Sequence, residues 1–192
     1  MRAITFDIET KGSSVTRGRL DTATLELTVV GIHDTETGEY SAFFKEELHK
    51  LWPILERADM LIGFNSNGFD IPILNRYYPG DLTKIKSLDL LSEVYASLGR
   101  RLRLDTLAQA TLGRGKTGDG LKAVEWWEQG LYDQVKEYCL EDVRITRELY
   151  EYARDKGHMK YKDLGTTKDI KIDASQWENG GSTPSLTHTL PF

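Results

Sequence analysis

Four carboxylates and one phenol are spaced as a reaction centre would need them. Asp7 and Glu9 stand two apart in the segment Phe6–Thr10, and alternate residues of a strand share a face. Ile4, Phe6 and Ile8 then take the other face, so one side of a buried strand ends in two acids with no basic neighbour in sequence. Acids this close raise each other's pKa unless a cation lies between them. A solvated strand end is the competing reading of so short a pattern. Asp142 interrupts a helical stripe of Leu131, Val135, Tyr138, Cys139, Leu149 and Ala153. An aspartate on an inward stripe is costly unless it is paired, with Arg144 or Arg147 for example, or binds a metal. Tyr138 precedes it by four residues and shares its face. Asp70 sits before Ile71 and Pro72, where taken alone it reads first as a helix N-cap.

Local patterns place these residues on distinct elements. Residues 2–8, Leu25–His33 and Glu39–Phe44 read as strands, the last two joined by a turn at Asp34–Gly38. Glu46–Arg57 has helical periodicity through Leu48, Leu51, Trp52 and Leu55, and Met60–Phe64 is a short apolar strand. A polar loop then leads to a helix from Asp70. Ile85–Leu88 is a fifth strand feeding a helix near Leu90–Leu98. Two or three helices follow, the longest from Leu131 to about Ala153. After Gly157 the pattern changes: Ile170 and Ile172 suggest one last strand, and Glu178–Pro184 reads as a linker. The expectation is an α/β fold of mixed strand direction over residues 1–156, with a C-terminal extension over 157–192.

Taken together the acids resemble a known set. Phe6–Thr10 resembles the first motif of the DEDD exonucleases, Gly63–Asp70 the second, and Tyr138–Asp142 the Y-x-x-x-D form of the third. The tyrosine form is that of the DEDDy subgroup, which includes the proofreading domains of family B polymerases. None of His33, His49, His158 and His188 stands where the histidine form would need it. The resemblance implies an RNase H-like five-stranded mixed sheet flanked by helices. It further implies 3′→5′ hydrolysis of single-stranded nucleic acid, DNA ahead of RNA, to nucleoside 5′-monophosphates. Asp7, Glu9, Asp70 and Asp142 would hold two divalent cations, Mg²⁺ or Mn²⁺, while Tyr138 orients the attacking water. Thr10, Asn65 and Phe69 would lie near the terminal nucleotide, and Arg100, Arg101 and Arg103 along the strand backbone.

Composition sets outer limits. The 192 residues can bury one good core. No apolar run reaches the roughly 20 residues of a membrane span. The N-terminus has no signal-peptide pattern, and the single cysteine, Cys139, excludes an internal disulfide framework and a cysteine-based zinc cage. A cytoplasmic protein is expected. The net charge of −5 is unevenly spread, with basic residues gathered at Lys84, Lys86, Arg100, Arg101, Arg103, Arg114 and Lys116. Such a distribution permits a local phosphate track on an acidic chain. Trp126 and Trp127 are adjacent, so one should be core and the other exposed. Asp89 and Asp105 read as helix caps, and Cys139 as a small core residue. The terminal Leu190-Pro191-Phe192 resembles the peptides that dock on a sliding clamp and, more faintly, the ends of single-strand-binding proteins.

Overall fold

The computed structural model describes residues 1–12, 15–16, 19–20, 22–115 and 120–179. Its first half runs β1 (Ala3–Lys11), a small ribbon of β2 (Val15–Thr16) and β3 (Arg19–Leu20), β4 (Glu26–Asp34), β5 (Tyr40–Phe44), α1 (Leu48–Leu55), β6 (Met60–Gly63) and α2 (Asp70–Leu74). The second half runs β7 (Lys86–Asp89), α3 (Leu90–Leu98), α4 (Leu104–Leu112), α5 (Gly120–Glu128), α6 (Tyr132–Lys156), β8 (His158–Asp163) and β9 (Thr166–Lys171). Five strands form one sheet in the order β5-β4-β1-β6-β7. β1 is antiparallel to β4 and parallel to β6, so the sheet is mixed, as expected.

β1 separates two cores by its pleat. Ile4, Phe6 and Ile8 pack against α1 and α2 with Leu51, Leu55, Ile71 and Leu74. Ala3 lies on the other face, where Ile145, Leu149 and Ala153 of α6 cover the sheet. β4 keeps Leu27 and Val30 in the same core although three positions part them. A β-bulge explains this: the pairing shifts between Glu9 and Thr10, opposite Val29 and Leu27, leaving Thr28 as the extra residue. The long α6 stops at Gly157, whose positive φ of 70° lets its N–H reach Ala153 O.

Several expectations need correcting. The helix expected from Glu46 opens as a 3₁₀ turn at Lys45–Glu47, and its α-helical part is only Leu48–Leu55. Leu131 caps α6 from outside the apolar stripe and is exposed. The single late strand is in fact a hairpin, β8 with β9. Its first arm was hidden because Lys160 and Lys162 dilute the alternation of Met159 and Tyr161, both buried. Met159, Tyr161, Ile170, Ile172 and Trp177 join the α6-side core, so residues 158–177 pack as part of the body. Glu178, placed at the start of a linker, accepts from Tyr150 Oη at 2.7 Å.

Burial on β4 gives the fold an acid-sensitive point. His33 is buried beside Tyr40, and burial, followed by the Arg147 cation, lowers its pKa against weaker opposing effects of Glu151 and Asp34. The unfolded chain therefore binds the proton more readily below a pH of about 6.5. Stability should fall as pH drops from about 7 towards 5. Urea midpoints at both pH values test this: His33→Leu should flatten the slope, and an unchanged slope would clear His33 as its source.

Candidate active site

β1 delivers its acids to the face covered by α6. Asp7 is partly buried and Glu9 is buried, and the bulge beside Glu9 sets how the strand end turns. α6 contributes Tyr138, Cys139 and Asp142 from the same stripe, all buried. This approach needs Gly31 on β4, where a Cβ would come 3.0 Å from Cys139 Sγ and 3.2 Å from Val143 Cγ2. Cys139 Sγ lies 3.4 Å from Asp7 O and 3.7 Å from Asp7 Oδ2. Donor atoms of Asp7, Glu9 and Cys139 all fall within 4.8 Å of one another.

Asp70 arrives from the far side of β1. It opens α2 as its first residue, with Phe69 in the capping position, so it is no N-cap. Its Oδ1 instead accepts from Ile8 N at 3.2 Å, between the two acids of β1. Burial pushes the Asp70 carboxyl up to about 7; two backbone N–H groups oppose this, and the charges of Asp89 and Asp142 add to it. The Cys139 thiol is likewise pushed well up by burial, then by Asp7, Glu9 and Asp142. Asp142 thus acts on both Asp70 and Cys139, and Asp7 and Glu9 on Cys139, which brings the four acids within electrostatic reach of one candidate centre. Its donors are hard carboxylate oxygens, the kind Mg²⁺ and Mn²⁺ prefer. The protonated Cys139 is a neutral wall of that centre, in keeping with a small core residue.

Neighbouring residues fall out unevenly. Tyr138 meets Trp126 edge-on at 5.9 Å between ring centres. Trp126 and Trp127 are both half-buried against one cluster, correcting the split into one core and one exposed ring. They escape that split because each ring finds aromatic partners, Trp126 against Tyr138 and Trp127 against Phe44 and Tyr132. Thr10 follows the bulge and is half-buried. Phe69 packs on the α1–α2 core. Asn65 has a positive φ of 64°, and its side-chain oxygen accepts from Arg101 Nη2. Arg100 pairs with Asp163 at 3.6 Å and lies over the Tyr161 ring. Arg103 caps α4 through its backbone and makes no ion pair among the described residues.

The wider basic track is partly spent on the fold. Lys86 Nζ binds the carbonyls of Gln176, Trp177 and Asn179. Arg114 bridges Glu141 and Glu148. Lys116 lies outside the described residues. Asp105 is inside the first turn of α4 and receives Gln109 Nε2, so it is not a cap. Asp89 caps α3 as expected but also binds two distant backbone N–H groups. Its flanking Leu88, Leu90 and Leu91 were the only sequence sign that this aspartate is buried.

Comparison with known proteins bears on the fold. No curated protein matches the chain. Among solved structures it is similar to the family B DNA polymerase from the hyperthermophilic archaeon Pyrobaculum calidifontis, with a TM-score of 0.61 at 20% identity. That likeness covers 79% of this chain but 24% of the polymerase, and at this identity it speaks to the fold. A model of the RNase_H superfamily matches residues 4–154, from the first strand of the sheet to the last turns of α6. That match spans most of the length of the chain, which belongs to the RNase_H superfamily.

Proposed function

We propose that this protein is a metal-dependent 3′→5′ exonuclease of the DEDDy type, acting on single-stranded DNA and releasing nucleoside 5′-monophosphates. The observation that carries the reading is the convergence of acids from β1, α2 and α6, with Asp70 held on the Ile8 N–H between Asp7 and Glu9. Asp7, Glu9, Asp70 and Asp142 would hold two Mg²⁺ or Mn²⁺ ions, which when bound stabilise the attacking and leaving oxygens of an in-line displacement at phosphorus. The carboxylates fix the centre to three rigid elements. Tyr138 Oη donates or accepts a hydrogen bond that orients the attacking water. A phenol of pKa about 10 is a poor base at neutral pH, so Tyr138 works by orientation.

Phe69 and Thr10 would border the terminal nucleotide, with Asn65 beside them. Arg100, Arg101 and Arg103 would follow the strand backbone, with Arg103 the readiest to meet a phosphate. Replacing all three with alanine should weaken DNA binding and flatten its dependence on salt. An unchanged salt slope moves the track elsewhere. The docking peptide read at Leu190-Pro191-Phe192 lies outside the described residues and rests on sequence alone.

The decisive experiment is a time course on 5′-labelled single-stranded DNA and RNA with Mg²⁺, Mn²⁺ or EDTA. A ladder shortening from the 3′ end, lost in EDTA, is the expected result. Release of the labelled 5′ nucleotide first would reject the polarity, and faster loss of RNA would reassign the substrate.

A further inference from the structure

We propose that Asp89 is a positioning residue for the carboxylate centre: it anchors the loop that carries Asp70 and so sets how tightly the centre holds divalent cations. This rests on the reading of Asp70 as a metal ligand given above.

Asp89 ends β7 beside Gly63 of β6 and is 4% exposed. No lysine, arginine or histidine pairs with it among the described residues. Its negative charge is met instead by three backbone N–H groups. Oδ1 accepts from Leu91 N at 3.0 Å and from Asn65 N at 2.7 Å, while Oδ2 accepts from Asn67 N at 3.1 Å. The first of these bonds is an ordinary helix cap, which serine or asparagine could make as well. The other two reach the loop between β6 and α2. A buried carboxylate is costly to keep for a cap alone, so those two bonds are what call for an aspartate here.

The loop needs such an anchor. Asn65 holds a left-handed backbone conformation, with a φ of 64°, that residues other than glycine rarely adopt. Ser87 Oγ donates to Asn67 Oδ1 at 2.7 Å, so β7 grips Asn67 twice. Ile71 N closes the loop on Ser66 O at 2.9 Å. Only Gly68 and Phe69 separate Asn67 from Asp70, and Asp70 must meet the Ile8 N–H on β1. A loop released from Asp89 would let Asp70 drift from that position while the other acids stayed in place. Groups that orient metal ligands from behind typically change metal affinity or activity by about 10–100-fold when replaced.

The two oxygens allow a graded test. Asp89→Asn keeps the acceptor for Leu91 and Asn65 but turns an amide donor towards Asn67 N. Asp89→Ser keeps the cap on α3 and loses both loop bonds. Mn²⁺ binding to purified wild type and both variants is followed by electron paramagnetic resonance, with thermal melting in EDTA to establish folding. We expect Mn²⁺ to bind about 10-fold more weakly to Asp89→Asn, and more weakly still to Asp89→Ser. Wild-type Mn²⁺ affinity in either folded variant overturns the proposal, whatever the nuclease assay shows. If the variants bind Mn²⁺ weakly but the wild type degrades no nucleic acid, the positioning role stands and the exonuclease reading falls.

Discussion

Replacing Asp7 or Asp142 by alanine is expected to lower nuclease turnover on the order of 10³-fold or more while the protein stays folded. Asp7 lies on β1 and Asp142 on the middle of α6, so each change removes a donor from a different wall of one centre. Cys139, whose thiol touches the Asp7 carboxylate, reports that the two walls meet. Removing an acid from a cluster also relieves like-charge repulsion, so each variant should melt no lower than wild type in EDTA. Adding Mg²⁺ or Mn²⁺ should stabilise the wild type, because a ligand that binds only the folded state raises its melting temperature. That gain should shrink in both variants. Undiminished activity in purified Asp7→Ala would sink the assignment of the centre, and an equal metal-induced shift would sink its role as ligand.

The second large effect is on stability. Gly63 ends β6, and a Cβ built there would stand 2.4 Å from Ser66 Cβ and 2.5 Å from Ser66 Oγ. Ser66 is fully buried and the contact is with its stem, so no side-chain rotation can relieve it. Either β6 or the loop to α2 must move. Gly63→Ala should therefore cost about 3 kcal/mol, near the upper end for overpacking. For a domain of this size that lowers the melting temperature by roughly 6–12 °C. Gly38→Ala is a useful contrast, since nothing lies within 4 Å of its Cβ and only its positive φ is strained. It should cost about 1 kcal/mol. Equal melting temperatures for the two variants would show that the loop yields freely, and that the close approach at Ser66 does not constrain it.

Much of this was readable from the chain because the acids sit on elements with strong local patterns. The alternation around Asp7 and Glu9 and the stripe around Asp142 each fix a side-chain direction without reference to the rest of the fold. Residues 90–98 form a helix over the span read from its leucines, closed by Gly99. What escaped depended on partners far away in sequence. The bulge at Thr28 is a property of two strands together, and no composition marks it. Asp70 looks like a cap locally, and only the neighbouring Ile8 N–H reveals its other use. Arg114 and Lys86 looked free to meet phosphates, yet Arg114 is held by acids of α6 and Lys86 by the chain's own carbonyls. β8 was lost because Lys160 and Lys162 on one face mask the buried Met159 and Tyr161 on the other.

The late hairpin also bears on how the chain comes to be folded at all. Ala3 and Met60 share a core with Met159, Ile170 and Trp177. Contacts between residues so far apart must wait for a long loop to close, and folds rich in them form in milliseconds to seconds, not microseconds. During synthesis at roughly 5–20 residues per second, β1 and β6 leave the ribosome several seconds before α6, which covers them, and before the hairpin that completes the same core. Until then Ala3, Met60 and Ile62 face water on one side of the sheet. The α1–α2 core, whose members all lie before residue 86, can assemble first and shelter the other face. Closure of the second core is thus a late, chain-wide event that completes only once Trp177 has been made.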